Sequence, residues 1–206
     1  MVDLRSEVEE AAIPAMAHSW ALSATWCKTL QKFTIHNLIA RGPKGMHHED
    51  YEDDFNVVRD LSPKLRYSLL MFMPNIYRYG DLQSYIEFWV KEWKTHGQQS
   101  GLSPQAYFEK VVQLYKLLPS RERMGLDFDV RKTVGDWQNS IKANCSTLPR
   151  IKVVGNTINE VEFYFDWRHT RYDNSLAPQN PKINVAVELK SKEADLMSKK
   201  RKIRGG

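Results

Sequence analysis

Ile158-Asn159-Glu160-Val161-Glu162-Phe163-Tyr164-Phe165-Asp166-Trp167 decides the fold reading, because apolar and polar residues alternate there almost without fault. Val161, Phe163, Phe165 and Trp167 fall on one side of an extended chain, and Glu160, Glu162, Tyr164 and Asp166 on the other. A period of two over this length marks a strand with one buried and one wet face. Lys182–Lys190 repeats the rule, with Ile183, Val185, Val187 and Leu189 set against Asn184, Ala186, Glu188 and Lys190. Arg150–Val154 reads as a strand and Gly155-Asn156 as a turn, which makes Ile158–Trp167 the second arm of a hairpin. The polar connection 168–181 carries Pro178 and Pro181 and reads as an exposed loop.

Everything before Pro149 reads as helix. Ser6-Glu7-Val8-Glu9 resembles a capping box for a short first helix ended by Pro14. Met16, Trp20, Leu30, Phe33 and Leu38 then suggest one long helix or two abutting ones over Ala15–Arg41, stopped by Gly42-Pro43. Ser62-Pro63 opens a helix that runs to Pro74, Asp81 caps one that ends at Gly97, and Ser103-Pro104 opens another that ends at Pro119. Val130, Val134, Trp137 and Ile141 mark a last helix. The expected fold class is therefore α+β. A mainly helical body of about five or six helices (residues 1–147) precedes a three-stranded, mostly antiparallel sheet (150–190). Residues 1–190 would form one globular domain and 191–206 a flexible basic tail.

Composition bounds the class further. Of 206 residues, 42% are hydrophobic and 11% aromatic, as in a folded chain able to bury a core without staples. The net charge is +5, and seven basic residues against two acidic ones from Lys190 onward account for all of it. The body is thus neutral, and any pull on a polyanion belongs to the tail. Two cysteines, Cys27 and Cys145, and an acidic start with Asp3, Glu7, Glu9 and Glu10 point to an intracellular protein with reduced thiols. No apolar run reaches the length of about 18 residues that a membrane span needs; peripheral membrane contact remains compatible with the sequence.

Four stretches carry candidate chemistry. Lys199, Lys200, Arg201, Lys202 and Arg204 suit a nuclear import signal, read by an import receptor, or a phosphate-binding arm for RNA or DNA. Arg168 and Arg171, next to Tyr172 and following Phe163, Tyr164 and Phe165, mix aromatic and basic groups as single-strand binders do. His47, His48, Glu49, Asp50, Glu52, Asp53 and Asp54 crowd a loop that reads as a solvated acidic surface. Asp166, Glu188 and Lys190 share the polar strand face in the manner of a metal-dependent nuclease, and equally of a cross-strand ion pair. Glycine-rich phosphate loops, Gly-x-Ser-x-Gly and Cys-x-x-Cys do not occur.

The function expected from these features is a non-enzymatic, nucleic-acid-associated structural protein of viral matrix or capsid type. It would self-assemble as a homo-oligomer, use no cofactor and no metal, and reach RNA or DNA, and the nucleus, through its basic arm. Nucleus and cytoplasm, or a virion, are the expected locations. Two alternatives stand beside it: a protein–protein adaptor or host-defence antagonist acting through its helical surface, and the Asp166/Glu188/Lys190 nuclease.

Overall fold

The computed structural model describes residues 19–41, 54–127, 130–166, 186, 187 and 189. Its centre is a four-stranded antiparallel sheet in the order β2-β1-β5-β4. β1 is Ser19–Cys27, β2 Lys32–Arg41, β4 Arg150–Val154 and β5 Thr157–Asp166. The hairpin β4–β5 is the one read from the sequence, with Val154 paired to Thr157 across the turn.

β1 and β2 overturn the expected fold, a helical body followed by a three-stranded sheet. Ala15–Arg41 was expected to be helical, yet 19–41 forms a second hairpin, and β1 lies at the sheet's centre beside β5. Two physical causes hid it. All nine residues of β1 are buried, so the strand has no wet face and shows no alternation. In β2 the register with β1 slips: Ser23 pairs with Asn37 and Ala24 with Ile35, which leaves His36 as an extra residue. Such a bulge moves the apolar set from Phe33 and Ile35 to Leu38, a spacing that imitates a helix.

The segment expected as third strand, 182–190, does not join this sheet in its described part. Ala186–Val187 (β6) pairs instead with Lys132–Thr133 (β3) in a separate two-stranded ribbon. The polar side of β5 is also not wet, since Glu160, Glu162 and Tyr164 are 4%, 2% and 2% exposed.

Among the described residues five α-helices accompany the sheet: α1 Val57–Asp60, α2 Pro63–Phe72, α3 Leu82–Glu92, α4 Pro104–Leu117 and α5 Val134–Cys145. The caps read from sequence hold three of them. Ser62 accepts from the Leu65 amide, Asp81 from Ser84 and Ser103 from Ala106. Val161, Phe163 and Phe165 join Trp20, Leu22 and Leu38 in one core with Trp89, Trp93, Tyr107 and Phe108 from the helical region. Cys27 and Cys145 are free thiols, the first buried. No helix among the described residues is long and apolar enough to cross a membrane.

α4 fixes the two elements that matter for chemistry. The Tyr107 hydroxyl donates to the Leu38 carbonyl at 2.8 Å and the Tyr115 hydroxyl to that of Phe33 at 2.6 Å, pinning β2 on either side of its bulge. Tyr107 also meets Trp93 edge to face, centroids 5.7 Å apart. Trp93 begins a π-helical turn, Trp93–Gly97, that continues α3. Such widened turns cost hydrogen-bond geometry and gather at functional sites.

Candidate active site

The bulge on β2 and the π turn after α3 each present a histidine, His36 and His96, and Glu92 ends α3. His36 accepts or donates through Nδ1 at 2.9 Å from Glu160 Oε2, and its ring stacks on Phe88 with centroids 6.4 Å apart. His96 Nε2 stands 3.8 Å from Glu92 Oε2, one helical turn earlier. That distance is too long for a hydrogen bond, and Glu92 Oε2 is a buried oxygen with no hydrogen-bond partner. Beside this group opens a cleft of about 270 Å³, lined by Thr25, Thr34, His36, Phe88, Lys91 and Glu92, with Asn75 and Tyr77 at its rim. Tyr77 is 82% exposed.

The two imidazoles are driven in opposite directions. The hydrogen bond to Glu160 raises the His36 pKa above its ordinary value, aided by the Glu92 charge and opposed by burial. Burial lowers the His96 pKa, with the His36 and Lys152 charges adding to it. Burial pushes Glu92 up to about 7, against the pull of His36 and Lys91. The shifts therefore favour the protonated form of His36 and the neutral form of His96, and Glu92 holds its proton below about 7. A titratable pair separated in this way is the arrangement that general acid–base catalysis requires.

Behind His36 the polar side of the sheet is a charge network. Lys152 Nζ lies 2.5 Å from Glu160 Oε1 and 2.8 Å from Glu162 Oε2. Ser23 donates to Glu162 at 3.3 Å, the Tyr164 hydroxyl donates to its other oxygen, and Arg41 is 3.5 Å away. Burial opposes ionisation of Glu160, but hydrogen bonds from His36 and Lys152 outweigh it and hold the group at about 2.

Of the candidates singled out from the sequence only Tyr164 reaches this network, as the donor to Glu162; Asp166 ends β5 opposite Ser19. Lys199, Lys200, Arg201, Lys202, Arg204, Arg168 and Arg171 lie outside the described residues, as do His47 to Asp53, Glu188 and Lys190. Asp54 is described and pairs with Arg59 at 2.8 Å. Among the described residues no cluster of three metal-ligating side chains occurs. Sequence reasoning missed His36, Glu92 and His96 altogether. One signal was available: Glu92 and His96 stand at helical i,i+4 spacing just before a glycine. His36 carried the subtler mark of a broken alternation.

No family model matches the chain. Ribonuclease Le2 of Lentinula edodes is 26% identical over 111 residues, 45% of this chain. The chain thus spans less than half of that curated relative's length, 46%. Among solved structures, the SF11-RNase associated with gametophytic self-incompatibility in Nicotiana alata superposes with a TM-score of 0.64 at 18% identity, over 84% of this chain and 98% of that one. A mutant of RNase MC1 from bitter gourd, solved with 5′-UMP, gives 0.64 at 16% identity over 85% and 100%. These likenesses, all to proteins named as ribonucleases, overturn the expectation of a non-enzymatic structural protein of matrix or capsid type. The four-stranded sheet with its helices is the fold of the T2 and S-like ribonucleases.

Proposed function

We propose that the chain is a ribonuclease that cleaves RNA by general acid–base catalysis, with His96 as base and His36 as acid. The observation that carries the reading is the cleft lined by His36 and a buried Glu92 whose unpartnered Oε2 lies 3.8 Å from His96, with the two imidazoles pushed in opposite directions. RNA supplies its own nucleophile in the 2′-hydroxyl, so a base and an acid suffice for the chemistry. His96 takes the 2′-hydroxyl proton, and the 2′-oxygen bonds to phosphorus. The bond from phosphorus to the 5′-oxygen breaks, and His36 protonates that leaving oxygen. The products are a 2′,3′-cyclic phosphate and a free 5′-hydroxyl. Glu92, buried and protonated up to about 7, offers a hydrogen bond to a phosphate oxygen as its charge grows. Lys91 adds a cation to the cleft lining. Phe88 and Tyr77 offer ring faces to a base, and Asn75 offers polar atoms for its edge.

The names of the relatives and of the superposed structures support the substrate class, and the cleft dimensions support a single nucleotide beside the scissile bond. The test is incubation of purified protein with single-stranded RNA, and with DNA of the same sequence, in the presence of a chelator. Cleavage of RNA alone, with 2′,3′-cyclic phosphate ends, and its loss in His36→Ala and His96→Ala are expected. Undiminished cleavage in either variant would refute the assignment.

A further inference from the structure

We propose that Glu160 is a positioning residue for His36, held in place by Lys152 and Glu162, so that the imidazole presents Nε2 to the cleft. The inference rests on the reading of His36 as a proton-transfer group.

Three observations converge on it. First, His36 is the residue left out of the β1–β2 register. A bulged side chain is released from the pleat that fixes its neighbours, so its direction must come from a contact. Second, that contact is a carboxylate two strands away. Glu160 Oε2 meets Nδ1 at 2.9 Å across β1, where Thr25 is the residue paired with Glu160. An ionised carboxylate only accepts, so Nδ1 carries a proton whether His36 is charged or neutral, and Nε2 is the nitrogen that titrates. Third, Glu160 cannot turn away. Its Oε1 takes the Lys152 ammonium at 2.5 Å, and Lys152 is bound in turn by Glu162 at 2.8 Å. Lys152 and Glu160 are also direct cross-strand partners. A solvated surface ion pair would have no such rigidity, but here both carboxylates are buried.

The charged groups around His36 come from each packed element. Glu160 faces it from β5 and Lys152 from β4; Glu92 and Lys91 belong to α3 and His96 to the π turn. Removing the Glu160 charge therefore withdraws the partner that most favours the imidazolium. Glutamine adds a second fault, because its amide can donate to Nδ1 and leave the proton off that nitrogen. A cross-strand pair that served only the sheet would leave both the tautomer and the titration of His36 untouched.

The experiment is ¹⁵N spectroscopy of the histidine rings against pH in wild type, in Glu160→Gln and in Glu160→Gln/Lys152→Met, alongside the pH profile of kcat. The double variant removes both charges of the pair, so it stays interpretable if the single variant, which leaves Lys152 with Glu162 alone, fails to fold. Neutral His36 is expected as the Nδ1–H tautomer in wild type, with a mixed or reversed tautomer and a lower titration midpoint in the variants. The alkaline limb of kcat should move down with that midpoint, and kcat should fall by about tenfold to a hundredfold while KM changes little. An unchanged tautomer and midpoint in a folded variant would overturn the proposal. The spectra decide the point independently of activity. A wild type that cleaves no RNA refutes the functional reading, whereas an active enzyme with an unmoved His36 refutes only this inference.

Discussion

Glu92→Gln should make the protein more stable and less active, and the stability gain should depend on pH in a defined direction. Glu92 is 5% exposed and its Oε2 has no hydrogen-bond partner. Burial raises its pKa from 4.5 to about 7. The shift of about 2.5 units, at 1.36 kcal/mol each, amounts to about 3 kcal/mol. The sign follows from proton counting. Between pH 4.5 and about 7 the folded protein holds a proton on Glu92 that the unfolded chain has released. Stability is therefore complete below the unfolded value and declines as pH rises through the folded one. Glutamine has nearly the same shape and never ionises, so it removes this slope. The variant should match wild type within about 1 kcal/mol at pH 4.5 and exceed it by about 3 kcal/mol at pH 8. With a urea slope of about 2 kcal/mol/M, the midpoints should then lie about 1.5 M apart. Urea unfolding at the two pH values measures this directly. A stability difference that stayed flat or shrank with rising pH would show that Glu92 is not a strained buried carboxyl, and the argument for its role as a proton-bearing donor would go with it.

Two other perturbations probe the scaffold and the cleft. A Cβ on Gly97 would overlap the ring of Trp93, so Gly97→Ala must displace the tryptophan that seats the π turn against Tyr107. It should cost about 1–3 kcal/mol by overpacking and reduce kcat through His96, as read by urea midpoint and single-turnover rate. Lys91→Gln removes a cation from the cleft lining. It should weaken RNA binding and flatten the slope of log affinity against log salt by about 0.7, the share of one phosphate contact on a single strand.

The helical half of the fold was legible because helices announce their ends. Ser62-Pro63, Asp81 and Ser103-Pro104 all cap as their chemistry requires. The hairpin β4–β5 was legible because Val161, Phe163 and Phe165 alternate with polar residues. β1 was not, because a strand covered on both faces loses the very contrast that defines a period. In β2 the bulge at His36 erased the period at the one position that matters most. Glu160 and Glu162 show a different limit. Their side of the strand was read correctly, but whether a polar side is wet depends on what covers it, and here the carboxylates are buried against Lys152, Arg41 and Tyr164. The site itself is assembled from β2, α3 with its π turn, and behind them β4 and β5. Each contributes one or two residues that look ordinary alone. Charge counting drew the functional reading to the basic tail, which lies outside the described residues.

The division of labour between the two histidines is the centre of the account, and a substrate with an activated leaving group tests it most directly. A ribonucleoside 3′-phosphodiester whose leaving group is p-nitrophenolate needs no proton to depart, but its 2′-hydroxyl still needs a base. His36→Ala should therefore lose about 100-fold or more on RNA and recover most of that loss on the aryl ester, while His96→Ala stays impaired on both. Equal impairment of both variants on the aryl ester, or recovery by His96→Ala instead, would contradict the assignment of His36 as acid and His96 as base.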